Sequence, residues 1–580
     1  MSTNSQNKNC QNCKSDFIIE SDDFGFYEKI KVPPPTFCPE CRAIRRLIWR
    51  NERSLYHNTC AFSGKNIISM FDPELKLTVY DREIWWSDKW DPTTYGQTYD
   101  FSKPFFLQFK ELLQKVPLEN LGNTNCINSE YGNHNTDCKN CYLTYATFRG
   151  ENVAYTKGGV EVKDSLDLFT VMKSEQAYED VVCSGLYKTH FSYDSDDSIN
   201  SQFLTSCMNL HDCLGCINLR HKRNTIFNVE YSKEEYEKQL VQYDFGSYKN
   251  LETFKKEYSD FIKPYPRRFA ALLKSVSVTG DNVMTSKNSK MIFDIFGEVE
   301  DSKYITHGMS VKNSYDAYGA GKMEFLYEGV DAGIDASKVL FAVLTHRSME
   351  THYTYMCFSS KYLFGCIGMR KQEYCILNKK DSKEDYEKIL PKIIQHMNDM
   401  PYIDEKGRVY KYGEFFPADL APFAYNETIA QEYYPLSKKE AKESGFKWKE
   451  REEKNYEIEI KSEELPDHIK DVADSIVGKV IECKQSGQCN EQCTEAFKIT
   501  LDELHFYRRM NLTLPRLCPN CRHFQRLGKR NPLGLWGRSC MCVQSGHDHQ
   551  GKCSVSFETP YSPEMPEVIY CEKCYQKEVY

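Results

Sequence analysis

The sequence predicts a mainly β protein with short helices, its middle a duplicated β-solenoid-like (right-handed β-helix) array. Three observations carry that expectation. The two ends of the chain are copies of one another, the middle holds a second duplication, and within each middle repeat short β-prone runs alternate with Asn/Asp/Ser/Gly turns. Composition agrees: 580 residues, 40% hydrophobic and 27% charged, with mean hydropathy −0.62, fit a folded, water-exposed protein. A net charge of −8 excludes a globally cationic wrapper of nucleic acid. No window approaches 18 uninterrupted apolar residues and MSTNSQNKNC has no apolar core, so neither membrane span nor secretory signal is expected. The expected location is cytoplasmic, and many of the 25 cysteines come in close pairs of the kind that ligate metal in a reducing compartment.

The first element, residues 1–60, is set by its likeness to the chain's other end. CKSDFIIESDDFGFYEKIKVPPPTFCPECRAIRRLIWRNERSLYHNTC, 13–60, aligns without a gap at an offset of 480 with CTEAFKITLDELHFYRRMNLTLPRLCPNCRHFQRLGKRNPLGLWGRSC, 493–540. Each copy holds two short cysteine pairs 24 residues apart: Cys10 and Cys13 with Cys38 and Cys41, and Cys489 and Cys493 with Cys518 and Cys521. Two tight turns, each presenting two thiolates, meet the tetrahedral demand of Zn²⁺ at about 2.3 Å per sulfur. The stretch between the pairs is too short for its own core, so the ion would supply folding energy. The pattern CxxCxxxFxI…FYxxxxxxxPxxCPxCRxxxR resembles the "probable zinc-ribbon" domain of uncharacterised bacterial proteins, over 10–60 and 489–540. That resemblance implies zinc-ribbon or treble-clef-like modules at both ends and no reaction.

Beyond the shared block the copies diverge. With a gap that moves the offset to 490, Cys571 and Cys574 fall opposite Asp81 and Ile84. The C-terminal copy, 483–580, is therefore expected to hold a second ion on Cys540, Cys542, Cys571 and Cys574, with Cys553, His547 and His549 as substitutes, making about three zinc ions per chain. The extension 61–124 is expected to lack its own zinc and to pack Tyr80, Trp85, Trp86 and Trp90 instead.

Repeat A, 125–245, and repeat B, 280–398, follow from VKDSLDLFTVMKSEQAYEDVV (162–182) matching VKNSYDAYGAGKMEFLYEGVD (311–331), and from Cys207/Cys357, Cys216/Cys366, Arg220/Arg370 and Asn228/Asn378. Rungs of about 20 residues are expected, each burying its apolar face against the next; a β-sandwich is the alternative. SKEEYEKQL (232–240) and SKEDYEKIL (382–390) read as closing helices capped by Ser232 and Ser382, with a full capping box only at Glu235. Segments 246–279 and 399–482 are connectors, the second ending in a charged, solvated stretch.

Candidate chemistry in the middle is modest. Cys138, Cys141, Cys183, Cys207, Cys213, Cys216 and His211 could form another metal site, but small cysteines also fill solenoid interiors. Asp194, Asp196 and Asp197 suit either a solvated turn or the paired carboxylates of a carbohydrate-active enzyme. Gly319-Ala320-Gly321 lacks a phosphate-loop context, and His346 and His352 have no counterparts in repeat A. The strongest partner signal is basic: Arg42, Arg45, Arg46, Arg50, Arg508, Arg509, Arg522, Arg526 and Arg530 could contact nucleic acid or a protein, or could offset the negative charge of thiolate-bound zinc. The function expected is a zinc-binding, non-catalytic binding or scaffold protein meeting nucleic acid or protein, without membrane or identifiable small-molecule substrate. The alternative is a β-solenoid polysaccharide lyase or hydrolase.

Overall fold

The computed structural model describes residues 5–451 and 456–580. The chain divides into two compact units, each assembled from separated stretches: Met1–Leu121, Ala270–Lys449 and Leu533–Leu535 in one, Gly122–Phe269, Glu450–Pro532 and Trp536–Tyr580 in the other. Each unit joins one cysteine-rich end to one solenoid half, and the assignment is crossed: the N-terminal module belongs with the second repeat, the C-terminal module with the first. The serial domains expected from the sequence are thus redistributed.

In the Gly122–Phe269 unit the solenoid coil is 12 residues long, not about 20. Parallel partners stand 12 apart throughout, as in Tyr145 with Lys157, Lys163 with Glu175 and Tyr187 with Ile199. Left-handed backbone recurs at every third residue, for example His134, Asp137, Asn140, Leu143, Ala146, Arg149, Asn152 and Tyr155. Each coil is therefore four tripeptides, two extended residues and one αL corner apiece. Asn and Asp tolerate αL better than other side-chain-bearing residues, and they stack in the outer corners: the Asn128, Asn140 and Asn152 amides donate in turn to Asn140, Asn152 and Asp164 at 3.1, 3.0 and 2.7 Å.

So short a side leaves a narrow interior that accepts one small residue per tripeptide. Ser129, Cys141, Val153, Ser165, Ala177, Thr189, Ser201 and Cys213 form one such inward column. The serines serve twice. Ser129 and Ser201 hydroxyls donate to the carbonyls two residues earlier (2.9 and 2.8 Å) and accept the N–H of Cys141 and Cys213 in the next coil (3.0 and 3.1 Å). Interior polar atoms are thereby satisfied within the stack.

The solenoid of the Ala270–Lys449 unit repeats the plan: Lys303 pairs with Tyr315 and Ser337 with Met349, and Ser302, Ser314, Ser348 and Ser360 face inward. Parallel in-register stacking in both halves replaces the sandwich alternative. Both solenoid halves end alike. The Asn228 side chain accepts from Ile217 N and donates to Ile217 O, both at 3.0 Å; Asn378 does the same with Ile367, both at 2.8 Å. Helices Lys233–Leu240 and Lys383–Asp399 follow, the first with a Ser232/Glu235 capping box, the second with a Ser382 cap alone. Of the connectors, 246–279 contains the helix Tyr248–Ile262, and solenoid pairing already begins at Leu272–Leu273. The Phe/Tyr-rich part of 399–482 buries Tyr410, Phe415, Phe416, Phe423 and Tyr425 in its unit's core; of the charged stretch beyond, 452–455 lie outside the described residues.

Candidate metal centres

In the N-terminal module the hairpin Gln6–Asn9 and Asp16–Ile19 ends in a knuckle closed by Cys10 N to Ser15 O (2.9 Å) and Lys14 N to Cys10 O (3.0 Å). Pro39 starts the helix Pro39–Leu47, its fixed φ suited to the first helical position, so Cys38 is the cap and Cys41 lies in the first turn. Cys10, Cys13, Cys38 and Cys41 converge, their sulfurs all within 4.8 Å of one another. Cys13 and Cys38 sulfurs are 3.7 Å apart; four sulfurs arranged tetrahedrally at about 2.3 Å from one ion would stand roughly 3.8 Å apart. The Cys41 thiol donates to Cys38, drawing Cys38 down to about 5 and pushing Cys41 up. Cys38 N–H and the Asn12 amide also donate to Cys10 and Cys41 sulfur, both at 3.2 Å, as supporting groups around a thiolate site should.

The C-terminal counterpart gathers Cys483, Cys493, Cys518 and Cys521. Cys483 replaces the expected Cys489. Its sulfur accepts Cys518 N–H at 3.2 Å, the contact Cys10 makes with Cys38. The reason is an enlarged knuckle: nine residues separate Cys483 from Cys493 where two separate Cys10 from Cys13, so a gapless alignment sets Asn490 opposite Cys10. The signal available was the strand Ile481–Glu482, which leads into Cys483 as Gln6–Asn9 leads into Cys10. Cys489 rides on the enlarged loop, 3.7 Å from Cys521 sulfur and grouped with Glu491.

A third four-sulfur group unites Cys540, Cys553, Cys571 and Cys574. Cys571 caps the helix Glu572–Val579 and donates its N–H to Cys540 sulfur at 3.2 Å. The substitute Cys553 thus stands where Cys542 was expected. Cys542 carbonyl accepts from Cys553 N at 2.9 Å, while its sulfur turns to a neighbouring cluster with His547, His549 and Cys574.

The matching place in the N-terminal copy has the same backbone and different side chains. Cys60 sulfur accepts Asp81 N–H at 3.2 Å, as Cys540 accepts Cys571. Asp81 caps the short helix Arg82–Trp85. Trp85 is buried, its indole donating to Pro117 O at 2.9 Å, and Trp90 donates to Trp85 O at 2.7 Å. Arg370, one of the duplicated arginines, lies over both rings, 5.2 and 4.9 Å from their centroids.

Most of the basic residues expected to meet a partner face inward. Arg42, Arg45, Arg46, Arg50, Arg522 and Arg526 are buried. Arg42 and Arg46, one turn apart on the module helix, both bond Asp316 at 3.0 Å, and Arg46 reaches Glu328 at 3.3 Å. In the other unit Arg522 and Arg526 share Asp167 at 2.5 and 2.8 Å, and Arg526 reaches Glu179 at 3.0 Å. Arg45 binds Glu328 and Glu414, and Arg50 binds Glu52 and Asp331. Asp316 and Glu328, like Asp167 and Glu179, lie one 12-residue coil apart, so each module helix docks on a column of two stacked acids. Burial alone would lower Arg522, but Asp167 carries it well above the usual guanidinium value. Arg508 and Arg509 remain exposed, the first paired with Asp474 and the second over Phe506, and Arg530 is half-buried.

Inside the solenoid Cys138, Cys141, Cys183, Cys207, Cys213 and Cys216 occupy inward positions, and Cys183, Cys207 and Cys216 thiols donate to carbonyls two residues earlier at 3.3, 3.4 and 3.5 Å. Asp194 and Asp197 are αL corners; Asp194 accepts from Ser206 at 2.8 Å. Burial, with Asp194 and Asp197 adding to it, raises Asp196 to about 7. His352 is half-buried beside Tyr412, 3.3 Å away, and His346 stacks on Phe358.

Among the described residues no helix is long and apolar enough to cross a membrane. No family model matches the chain, and no curated protein matches it. Among solved structures, a crystal structure of an acetyltransferase candidate from Desulfovibrio desulfuricans G20 covers 50% of this chain and 86% of its own, at 9% identity and TM-score 0.10; at that score the likeness carries no argument about fold or function.

Proposed function

We propose that the protein is a zinc-stabilised, non-catalytic scaffold, with the three four-cysteine groups filled by structural zinc. The observation carrying the reading is the closed character of each group: four protein sulfurs use all four tetrahedral positions and leave none for water or substrate. Soft thiolates also favour Zn²⁺ over the hard, oxygen-preferring cations. The buried arginines support the same view, because they fasten each module to its solenoid rather than offering charge outward. Of the basic candidates, Arg508, Arg509 and the half-buried Arg530 are those left for a nucleic-acid or protein partner, and the solenoid faces supply the remaining binding area. Metal analysis of protein purified under reducing conditions should return no fewer than three zinc ions per chain. Two or fewer would end the reading.

A further inference from the structure

Cys574 belongs to two clusters at once. It closes the group with Cys540, Cys553 and Cys571, and it also stands within 4.8 Å of the donor atoms of Cys542, His547 and His549. We propose that this end of the chain holds a thiolate-bridged pair of zinc ions, with Cys574 as the bridge. Seven donors then serve two tetrahedra: Cys540, Cys553, Cys571 and Cys574 around one ion, and Cys574, Cys542, His547 and His549 around the other. The inference rests on the metal reading above and adds a fourth ion to it.

The histidines are set up as ligands. His549 Nδ1 lies 2.8 Å from Gly551 O and must donate there, which leaves the Nε2 lone pair free; that Nε2 is buried without a hydrogen-bond partner. A ligating imidazole commonly donates its other N–H to a carbonyl in this way. His547 presents Nδ1 to Cys542 sulfur at 3.1 Å and turns Nε2 toward Glu578, 3.8 Å away. Charge favours the pair as well: five thiolates against two dications leave a net charge of about −1, less than the roughly −2 of one isolated four-thiolate site. In the N-terminal copy Phe62, Asp81 and Ile84 stand where Cys542, Cys571 and Cys574 do, so the whole arrangement belongs to one end only.

The test is metal stoichiometry on the full chain, purified reduced and compared with the His547→Ala/His549→Ala double variant. The expected result is four zinc ions falling to three, with hydrogen exchange across 569–579 still protected by the intact four-cysteine set. His547→Cys/His549→Cys should restore four. Three ions in both the parent and the double variant would overturn the bridged pair and leave the three closed sites standing; two or fewer in the parent would overturn both. Independently of any variant, Co²⁺ loading reads the bridge: a shared thiolate couples the two high-spin ions antiferromagnetically, so the last equivalent should lower the integrated spin signal. A signal that rises in proportion through the fourth equivalent would refute the bridge.

Discussion

The two units solve one docking problem identically and one packing problem differently. In both, a helix that begins at the second cysteine pair lays two arginines, four residues apart, across two acids stacked one coil apart. Beyond that helix, both modules form a hairpin with a cysteine (Cys60 or Cys540) at its turn whose sulfur accepts the corresponding backbone N–H. There the likeness stops. One unit fills the space with Trp85 and Trp90 under Arg370, the other with sulfurs and imidazoles. A small fold that cannot bury enough apolar surface needs either large aromatics or metal. With the proposed zinc in place these would be interchangeable on one backbone, whereas the charged docking face was kept in both copies.

Chelation should break the comparison most sharply. Structural zinc contributes on the order of 10 kcal/mol per site to small metal-dependent folds. Stripping it should abolish hydrogen-exchange protection over 540–580, while 60–100 stays protected by its tryptophans. If the two segments lose protection together, aromatic packing does not substitute for metal and the Cys60 region depends on the ion bound next to it.

The docking columns come next. Asp167→Asn and Asp316→Asn each leave two buried guanidinium groups without their shared carboxylate. Removing one partner of a buried pair costs roughly 3–5 kcal/mol. Both variants should lose about that much, and the loss should show as exchange in Pro519–Leu527 for one and Pro39–Leu47 for the other. A large effect in one unit alone would mean that the duplicated contacts no longer share a role.

How much of this could be read in the sequence depended on what kind of signal each feature left. Converging cysteines announce themselves by residue type and spacing, so the N-terminal cluster was legible; Cys483 was not, because an insertion broke the spacing that identified its partner. The acids were in view, since Asp167/Asp316 and Glu179/Glu328 lie inside the aligned repeat, but their pairing means nothing until the coil length is known. That length was hidden because its corners are not written in turn residues alone. Leu143, Tyr155, Val182, Phe191 and Phe203 also adopt αL, a conformation such side chains enter only when surrounding stacking holds them there. The interior was equally disguised, since Ser, Thr and Cys facing inward resemble loop composition. The arginines misled for a physical reason: charge in a sequence gives no sign of which acid will cover it.

Acid should probe the two solenoids in parallel. Burial draws His190 in one and His352 in the other down to about 4, against about 6.5 when unfolded. His190 is buried and His352 half-buried, both held neutral, so their contribution is complete above pH 6.5 and is lost as pH falls from 6.5 toward 4. A depression of that size corresponds to about 3 kcal/mol for each histidine. Thermal unfolding between pH 7 and pH 4.5 should show the loss, and His190→Gln should remove it from the Gly122–Phe269 unit alone. Unchanged acid sensitivity in that variant would assign the loss to other groups.

The smallest expected effect concerns the outer corners, where the units again differ in degree. The Asn128–Asn140–Asn152–Asp164 ladder runs through four coils of one solenoid, while Asn282 to Asp294 (2.8 Å) links two coils of the other. Asn140 contributes in two ways: its side chain gives and takes a ladder bond, and its backbone sits at φ 52°. Exposed hydrogen bonds contribute about 0.5 kcal/mol each, and a residue lacking the local bonding of Asn or the freedom of Gly adds an αL cost of about 1 kcal/mol. Asn140→Ala should therefore cost about 1–2 kcal/mol in denaturant unfolding, because it loses both. Asn140→Gly keeps the corner accessible and forfeits only the ladder, so it should cost about half as much. Equal losses in the two variants would place the whole contribution in the side-chain ladder, and the tripeptide corner would then need no αL-tolerant residue to turn.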